Sequence, residues 1–388
     1  MEMQTVRTPK NVLSVALLVA ACMAQVIPDA KAQTSISEEA ANTINKTGPL
    51  KKVGSPHDMY TTGIMAGAQN GTEFTAAFEI ATLISTHQVT GPHGEVALRV
   101  APMVGVGALQ NILDVLTLAD ADMSIVPVAL LNRASAMLGI DDVHKQIVYI
   151  APLYEEEFHI LTTWSIGNIS DLAGKTVNLG TKNSAAAVLG GEIFQRLGLK
   201  VNVVNLEEGR AVDALARGEI AADVVLSSKP VKAVASYSEE DIVNTALKLI
   251  GIPYSPALGE DFLPATLTHD DYPNVIFPAE SVNTIGVRSV LIAYNWPKRS
   301  DRYRLLDFFV RSLFSRFSEL KAGPDHPKWR EVNLATTLPG WRRFPPAQRW
   351  LDQQDLESFL SKWGTGAEAD RARLYRDFLR LREHSGGG

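Results

Sequence analysis

The stretch TVNLGTKNSAAAVLGGEIFQRLG, residues 176–198, decides the fold. Its first four residues, 176–179, have the length and composition of a buried strand. A loop of small and polar residues, 180–184, follows this strand. A helical pattern then runs to Leu197, and Gly198 is a typical residue for ending a helix. The stretch therefore predicts one strand–loop–helix unit.

The same unit recurs three more times along the chain. The predicted strands are 62–66, 96–100 and 222–226, the loops between strand and helix include 67–71, 105–107 and 227–230, and further strands are predicted at 123–126 and 201–204. Strands that alternate with helices imply right-handed β-α-β connections and mostly parallel sheets. Such sheets bind ligands at the carboxyl ends of their strands, where these loops lie.

Two other β-rich stretches, 146–164 and 284–294, are interpreted as crossings between two lobes. The first is predicted as two β-rich halves around residues 152–154 (PLY). The fold class predicted is therefore α/β and two-lobed, with a mostly parallel sheet and flanking helices in each lobe and two hinge crossings between them. The predicted domain bounds are 56–150 plus 290–388 for the first lobe, which includes a C-terminal helical segment, and 151–289 for the second lobe.

The N-terminus has the pattern of a secretory signal peptide. Arg7 and Lys10 precede an apolar run, 12–21, and an Ala30-Lys31-Ala32 cleavage site follows. Residues 1–32 are therefore predicted to be removed on export to the periplasm, leaving 33–55 as a flexible lead-in. Two alternatives stay open: a lipid anchor on Cys22, which lies in a lipobox-like context, and an N-terminal core helix.

The composition restricts the possible partners and chemistry. The net charge is −6, and it becomes −7 without residues 1–32, which hold three basic and two acidic residues. An acidic chain disfavours a nucleic-acid partner. About 355 remaining residues suit two domains at roughly 150 residues each. Cys22 is the only cysteine, so the mature chain would contain no disulfide.

An ordered set of motifs points to a family. The motifs are 105–111 (GVGALQN), 121–126 (ADMSIV), 153–155 (LYE), 170–177 (SDLAGKTV), 214–223 (ALARGEIAAD) and 284–287 (TIGV). From about residue 63 to 350 the chain resembles the TAXI group of solute receptors for TRAP-type transporters. The resemblance implies a monomeric periplasmic binding protein, without a cofactor, that delivers a small organic anion (a carboxylate or an amino acid) to TRAP membrane subunits.

The resemblance also implies which residues line the interlobe cleft. Carried over to this chain, they are Gly71, Thr72, Phe74, Gly107, Ala108, Asn183, Ser184, Ser227, Ser228 and Lys229. Three positions depart from the family pattern: Ala108 replaces a usual serine, the third loop has fewer glycines, and Glu73-Phe74 replaces an aromatic pair. The identity of the ligand therefore stays open.

The residue types suggest how an anion would be held. Helix N-termini carry unpaired N–H groups and partial positive charge, although each loop is equally typical of an ordinary turn. Lys229 would pair with a ligand carboxylate or would be solvated, and Ser184 and Ser227 would donate hydrogen bonds. Glu73 would stabilise its own helix or accept a bond from a ligand amine. Phe74 is expected in the core.

The sequence offers no recognisable catalytic motif. It contains no G-x-S-x-G or H-E-x-x-H motif, and 269–271 (HDD) lacks the further ligands that a metal site needs. We therefore predict a binding protein that is not an enzyme and has no metal site. A ligand sensor for a signalling receptor and an exported enzyme on the same scaffold remain alternatives. The Trp- and Arg-rich segment 329–350 is expected to fasten the C-terminus to a lobe.

Overall fold

A computed structural model of the chain describes residues 60–85, 88–91, 94–259, 261–363, 373 and 377. The predicted signal peptide 1–32, with Cys22, and the predicted lead-in 33–55 lie outside the described residues. Within the described residues, no helix is long and apolar enough to cross a membrane.

Strands and helices alternate through most of the described chain. The strands are β1 (Thr61–Ala66), β2 (Gln88–Gly91), β3 (Gly94–Ala97), β4 (Arg99–Val104), β5 (Ala121–Pro127), β6 (Ile147–Thr163), β7 (Thr176–Asn178), β8 (Asn202–Val204), β9 (Ala222–Ser227), β10 (Leu247–Ile250), β11 (Leu263–Thr268) and β12 (Ser281–Tyr294). The helices are α1 (Thr72–Ser85), α2 (Ala108–Thr117), α3 (Val128–Leu138), α4 (Val143–Gln146), α5 (Ala185–Arg196), α6 (Glu208–Ala216), α7 (Lys232–Ala235), α8 (Glu239–Thr245), α9 (Asp301–Ala322) and α10 (Pro345–Trp363).

Ten of the strands form one mixed sheet. The order of its main path is β4-β1-β5-β12-β6-β9-β7-β8, with β10 on β6 and β11 on β12. At one end β1 is parallel to β4 and β5, and at the other end β7 is parallel to β8 and β9. The two parallel groups are joined by β6 and β12, which are antiparallel to each other. Strands β2 and β3 form a separate hairpin.

The two long strands divide the molecule into two lobes. Strand β5 pairs with residues 289–293 of β12, beside the first half of β6, and this defines the first lobe. Strand β9 pairs with residues 157–162 of β6, and β11 pairs with residues 281–286 of β12, which defines the second lobe. The α/β, two-lobed architecture with two crossings is confirmed. The residue bounds of the two domains stay a prediction.

Each lobe has a hydrophobic core under its helices. In the first lobe the inner faces of α1 and α9 pack on the sheet, with Ile80 and Phe309 fully buried. In the second lobe α6 and the turn after β11 enclose Leu215 and Tyr272. A third cluster contains Ile112 of α2 and Leu189 of α5 and extends across both lobes. The apolar contact therefore continues across the boundary between the lobes.

The C-terminal segment packs on the first lobe, as the sequence predicts. Trp329 is 1% exposed, packs edge-on against Tyr154 and Phe317, and donates from Nε1 to Glu79. Helix α10 adds Trp350, whose ring packs edge-on against Phe314. The segment therefore places Trp329 in the core of the first lobe and packs Trp350 against that core.

Three features of the sheet differ from the sequence prediction. The stretch 146–164 forms one continuous strand, β6, although Pro152 lies in its middle. Backbone pairing on both edges of β6 overrides that local turn signal. The predicted strand 96–100 is divided between β3 and β4, with a break at Leu98. Strands β10 and β11 are additions. Strand β10 pairs with β6, which is distant in sequence, and β11 pairs with the following strand β12.

Candidate functional site

A cavity of about 210 Å³ lies between the two lobes, at the carboxyl ends of the strands. Loops from both lobes reach it: the β1–α1 and β4–α2 loops from the first, and the β7–α5, β8–α6 and β9–α7 loops from the second. The wall consists of Gly67, Ala68, Asn70, Gly71, Glu73, Gly105, Val106, Gly107, Ala108, Asn111, Ile125, Asn178, Gly180, Thr181, Ser184, Ala185, Ala186, Leu206, Glu208, Asp223, Val224, Val225, Leu226, Ser227 and Val231.

The lobes contact each other directly at the rim of this cavity. A Cβ atom added to Gly107 would lie 2.2 Å from the carbonyl oxygen of Asn183 in the other lobe. Thr72 Oγ1 lies 2.8 Å from Ser227 Oγ and accepts a 3.2 Å hydrogen bond from the backbone N–H of Ser228. Only glycine fits at position 107, so the sequence permits this close approach of the two lobes.

Four helices begin at the cavity wall. The local sequence of each helix determines how its N-terminus is capped and which charges lie in its first turn. In α5 the Ser184 hydroxyl accepts from the N–H of Ala187 at 3.1 Å, which caps the helix. In α2 the N-cap is Gly107, which supplies no side-chain oxygen to cap the helix. The first turns of α1 and α6 contain Glu73 and Glu208. The partial positive charge of a helix start favours such acidic residues and would also favour a ligand anion.

The side chains of the wall are acidic. Glu73, Glu208 and Asp223 line the cavity, whereas no Lys, Arg or His occurs in the part of the wall that the structure describes. Burial raises the pKa of Glu73 and of Glu208. Burial, opposed by a bond from Asn178 and reinforced by the charge of Glu208, raises the pKa of Asp223 to about 6. The wall therefore presents negative charge that water solvates poorly.

The carboxylates make few protein contacts. Asn178 Nδ2 donates to Asp223 Oδ1 at 2.7 Å, and among the described residues no other side chain bonds that carboxylate. Glu73 folds back over the β1–α1 loop, where its Oε2 lies 2.9 Å from the Cβ position of both Gly67 and Gly71. Its own N–H donates to it and lowers its pKa in part. No cationic partner within the described residues neutralises these groups.

A buried acceptor lies in the same wall. Asn111 is 1% exposed, and its Nδ2 donates to the carbonyl oxygen of Ala66 at 2.9 Å. This bond directs Oδ1 toward Gly105, where an added Cβ would lie only 1.9 Å away. Oδ1 accepts no hydrogen bond from any described residue. Leaving a buried acceptor without a donor costs about 1–3 kcal/mol.

A fourth acid lies close to the cavity. Glu156 on β6 is fully buried, and its Oε1 accepts a hydrogen bond from the hydroxyl of Ser289. Burial and the charge of Glu73 raise its pKa well above the usual range. Burial therefore favours the protonated form of this carboxyl more than water would.

The structure places six of the sequence-predicted site residues in the cavity wall: Gly71, Glu73, Gly107, Ala108, Ser184 and Ser227. Five others lie outside the wall. Thr72, Asn183 and Ser228 form the contacts between the lobes, and Phe74 packs against the core of the first lobe, as expected. A ligand-binding role for all these residues stays a prediction.

Lys229 is also placed outside the wall. Its Nζ donates to the carbonyl oxygen of Thr266 at 2.7 Å and pairs with Asp271 at 3.0 Å. Its backbone N–H donates to Glu157 on β6. Lys229 thus ties the β9–α7 loop to the crossing strand and to the turn after β11, instead of projecting into the cleft as its position after a strand suggests.

Sequence reasoning did not select Asp223, Glu208 or Asn111 as site residues. Asp223 carried a signal, because a carboxylate between Ala222 and Val224 interrupts an otherwise apolar strand. Asn111 carried a similar one, since it falls on the apolar face of α2. Glu208 carried none, because an acidic residue in a first helical turn is ordinary.

The described residues contain no group of three or more His, Cys, Asp or Glu side chains arranged to hold a metal ion. The three wall carboxylates come from separate elements, α1, α6 and β9. The arrangement suits non-covalent binding of a small polar molecule.

Comparison with known proteins gives one family. The model of the NMT1-like family matches residues 64–341, well over half of the 388 residues. No curated protein sequence matches the chain. The assignment to the TAXI group, made from the motifs, stays a prediction.

Three solved structures are similar to this chain. The alkanesulfonate-binding protein SsuA from Xanthomonas axonopodis pv. citri is 11% identical over 79% of this chain and 95% of its own, with a TM-score of 0.41. The periplasmic aliphatic sulphonate binding protein SsuA from Escherichia coli is 13% identical over 83% and 84%, with a TM-score of 0.37. The amino acid ABC transporter substrate-binding protein AbpA from Streptococcus pneumoniae is 13% identical over 68% and 92%, with a TM-score of 0.37.

Proposed function

The chain belongs to the NMT1-like family, and from this premise we propose that it is a solute-binding receptor of the periplasm. It captures a small organic molecule between its lobes and delivers it, as a monomer, to the membrane subunits of a TRAP-type transporter. It releases its ligand unchanged. The transporter type rests on the motif resemblance to the TAXI receptors.

The observation that carries the proposal is the position of the cavity. Five strand-to-helix loops, two from the first lobe and three from the second, meet around one space of about 210 Å³. Ligands of α/β sheets bind at this end of the strands, and an interlobe position allows closure around them. A ligand there contacts both lobes only when they are closed, so binding favours the closed form.

The two crossing strands supply the hinge. Among the described residues, only β6 and β12 continue from one lobe into the other. Their pairing shifts register between Arg288 and Val290 and again between Leu291 and Ile292. Such irregularities bend a strand and interrupt regular pairing. Bending at this position would separate Gly107 from Asn183 and open the cavity to solvent.

The helix starts and acidic side chains of the cavity wall indicate which charged groups a ligand should carry. The starts of α2 and α5, at Ala108 and Ala185, face the cavity with backbone N–H groups that suit a carboxylate. The carboxylates of Glu73, Glu208 and Asp223 suit a hydrogen-bond donor on the ligand. Of the two ligand classes that the sequence suggests, a plain carboxylate would meet three acidic side chains without a cation, whereas an amino acid also brings an amine.

The proposal is tested by ligand-dependent closure of the mature chain, residues 33–388. Compounds that raise its melting temperature in a screen of organic acids, amino acids, amines and phosphate esters would be examined by small-angle scattering. A ligand at 100 times its dissociation constant stabilises a protein by about 2.7 kcal/mol. We expect stabilisation together with a smaller radius of gyration. Turnover of the compound, or no stabilisation by any class, would contradict a receptor role.

A matched pair of glycine variants separates closure from folding. Gly107→Ala introduces a Cβ 2.2 Å from Asn183 O, whereas Gly209→Ala on α6 introduces one with no atom within 4 Å. Gly107→Ala is expected to keep the fold and to lose ligand-induced compaction. Gly209→Ala should behave as the unmodified chain, and equal compaction in both variants would contradict the closure contact.

A further inference from the structure

We propose that the ligand of this cavity is a small organic cation, a molecule whose protonated amine groups give it a net positive charge, held by Asp223, Glu208 and Glu73. The inference rests on the proposed receptor function and names the ligand class for the same cavity. It also changes the sequence expectation of an organic anion.

The first support is the imbalance of charge around the cavity. Three acidic side chains line it, and the part of the wall that the structure describes contains no basic side chain. The nearest candidate from the sequence, Lys229, is held by Thr266 and Asp271. Burying a charge is expensive unless it is paired, so such a wall favours a ligand that brings the opposite charge.

The second support is the position of Asp223 in the fold. Asp223 is 3% exposed and is the second residue of β9, between two apolar residues. Its described side-chain partner is the neutral amide of Asn178. A carboxylate placed so deeply is usually compensated by a cation, and a ligand ammonium within hydrogen-bond distance would compensate it. Glu208 at the start of α6 adds a second negative charge beside it.

The third support is independent of charge. Asn111 lines the opposite wall, from the first lobe, and its buried Oδ1 receives no hydrogen bond within the described residues. The bond from Nδ2 to Ala66 O sets the orientation of the amide and leaves Oδ1 as an acceptor without a donor. An acceptor needs a donor, and an ammonium supplies N–H donors whereas a carboxylate supplies none.

The three acidic side chains also lie in both lobes, so a ligand that binds all three must lie between the lobes. Asp223 and Glu208 belong to the second lobe, whereas Glu73 and Asn111 belong to the first. A ligand with one or more ammonium groups between them would replace repulsion across the cavity with attraction to both walls. This gives a physical reason for closure to depend on the ligand.

The decisive experiment compares compounds of five or six carbons that differ in the number of amine and carboxylate groups. Cadaverine (two amines), lysine (two amines and a carboxylate), glutamate and glutarate would be tested in calorimetric titrations with residues 33–388, beside a wider panel of small amines and amine-free acids. Cations are expected to bind, and glutarate and the other amine-free acids are not. Cadaverine and lysine together show whether the site also takes a carboxylate.

Variants then test the named residues. Asp223→Asn keeps the shape and the bond from Asn178 and should weaken the binding of the best cation at least tenfold. Asp213→Asn, on the exposed side of α6, removes the same charge outside the wall and should leave binding unchanged. Circular dichroism of each variant establishes that it is folded.

The outcomes are distinguishable. Binding of an amine-free acid, or equal loss of affinity in Asp213→Asn and Asp223→Asn, overturns the cation inference and leaves the receptor function standing. Failure of every amine to bind also overturns the inference. If no compound of any class binds, the receptor function fails as well.

Discussion

Buried carboxylates have different partners in the hinge strand β6 and in the cavity. On the crossing strand β6, Glu157 is 2% exposed and meets the ammonium of Lys328 at 2.5 Å and the N–H of Lys229 at 2.9 Å. In the cavity, Asp223 is 3% exposed and meets the neutral amide of Asn178. Glu208, beside it, has no side-chain partner among the described residues.

The difference indicates which charges serve the fold and which serve a ligand. Burial raises the pKa of Glu157, but Lys328 and Lys229 pull it back, so the protein itself compensates that charge. Burial raises the pKa of Asp223 to about 6, and the charge of Glu208 contributes to this rise rather than compensating it. A buried charge that the fold leaves uncompensated is a candidate for a functional site.

The largest expected effect comes from breaking the buried ion pair between Glu157 and Lys328. Lys328→Met leaves Glu157 buried without its cation, and the loss of one partner of a buried pair costs about 3–5 kcal/mol. The free energy of unfolding, measured by urea denaturation, should fall by this amount. Lys145→Met is the matched control, because its pair with Asp142 is exposed and its removal should change stability by less than about 0.5 kcal/mol.

The double variant Glu157→Gln/Lys328→Met sharpens that test. Removing both charges takes away the uncompensated carboxylate, so much of the loss seen in Lys328→Met should be recovered. If Lys328→Met is as stable as Lys145→Met, Lys328 does not compensate the buried charge of Glu157, and the contrast with Asp223 fails.

The next effect has the opposite sign. Asp223→Asn removes an uncompensated charge from the cavity, so the ligand-free protein should become more stable at pH 7. A pKa raised from 3.8 to about 6 corresponds to about 2–3 kcal/mol at about 1.4 kcal/mol per unit. Urea denaturation of Asp223→Asn and Asp213→Asn without ligand measures it. Destabilisation by Asp223→Asn would show that the carboxylate serves the fold.

The pH dependence of that difference follows from the sign of the shift. The folded pKa of Asp223 is raised, so its ionised form destabilises the fold above about pH 6, and the cost disappears as pH falls toward the unfolded value. The advantage of Asp223→Asn should therefore be complete above about pH 6 and absent near pH 4. Glu208 and Tyr237, which interact with Asp223, are common to both proteins. A difference that is constant with pH would contradict the raised pKa.

The smallest effect concerns the contact between the lobes. Thr72→Val removes the hydroxyl that bonds Ser227 and leaves the N–H of Ser228 without its acceptor, which costs about 1–2 kcal/mol. The closed form should lose this amount, seen as a larger radius of gyration without ligand. Thr82→Val, on the exposed side of the same helix, is the control. Equal radii for both variants would remove Thr72 from the closure contact.

Much of the fold was predictable because it depends on local patterns. The strands β1, β5, β7 and β9 appear at or within two residues of the predicted positions, since each combines an apolar run with a small-residue loop. The length of β6 was not predictable from Pro152 and its neighbours, because strands distant in sequence hold it extended.

The candidate site was predictable in part. The glycines and small residues of the loops, such as Gly107 and Ser184, follow from the strand-to-helix pattern and lie in the wall. The acids at Asp223 and Glu208 depend on which side chains converge, and one sequence does not show convergence. Lys229 illustrates the same limit, since its partner Asp271 lies 42 residues away.

The most direct test of the central claim is the ionisation of Asp223 itself, followed by carbonyl NMR of the aspartate-labelled protein with the Asp223→Asn variant for assignment. In the ligand-free protein its pKa should be about 6, and saturation with the cation that binds best should lower it, because an ammonium favours the charged carboxylate. An ordinary pKa without ligand, or a raised pKa that does not change on binding, would contradict an uncompensated cavity charge that a cationic ligand satisfies.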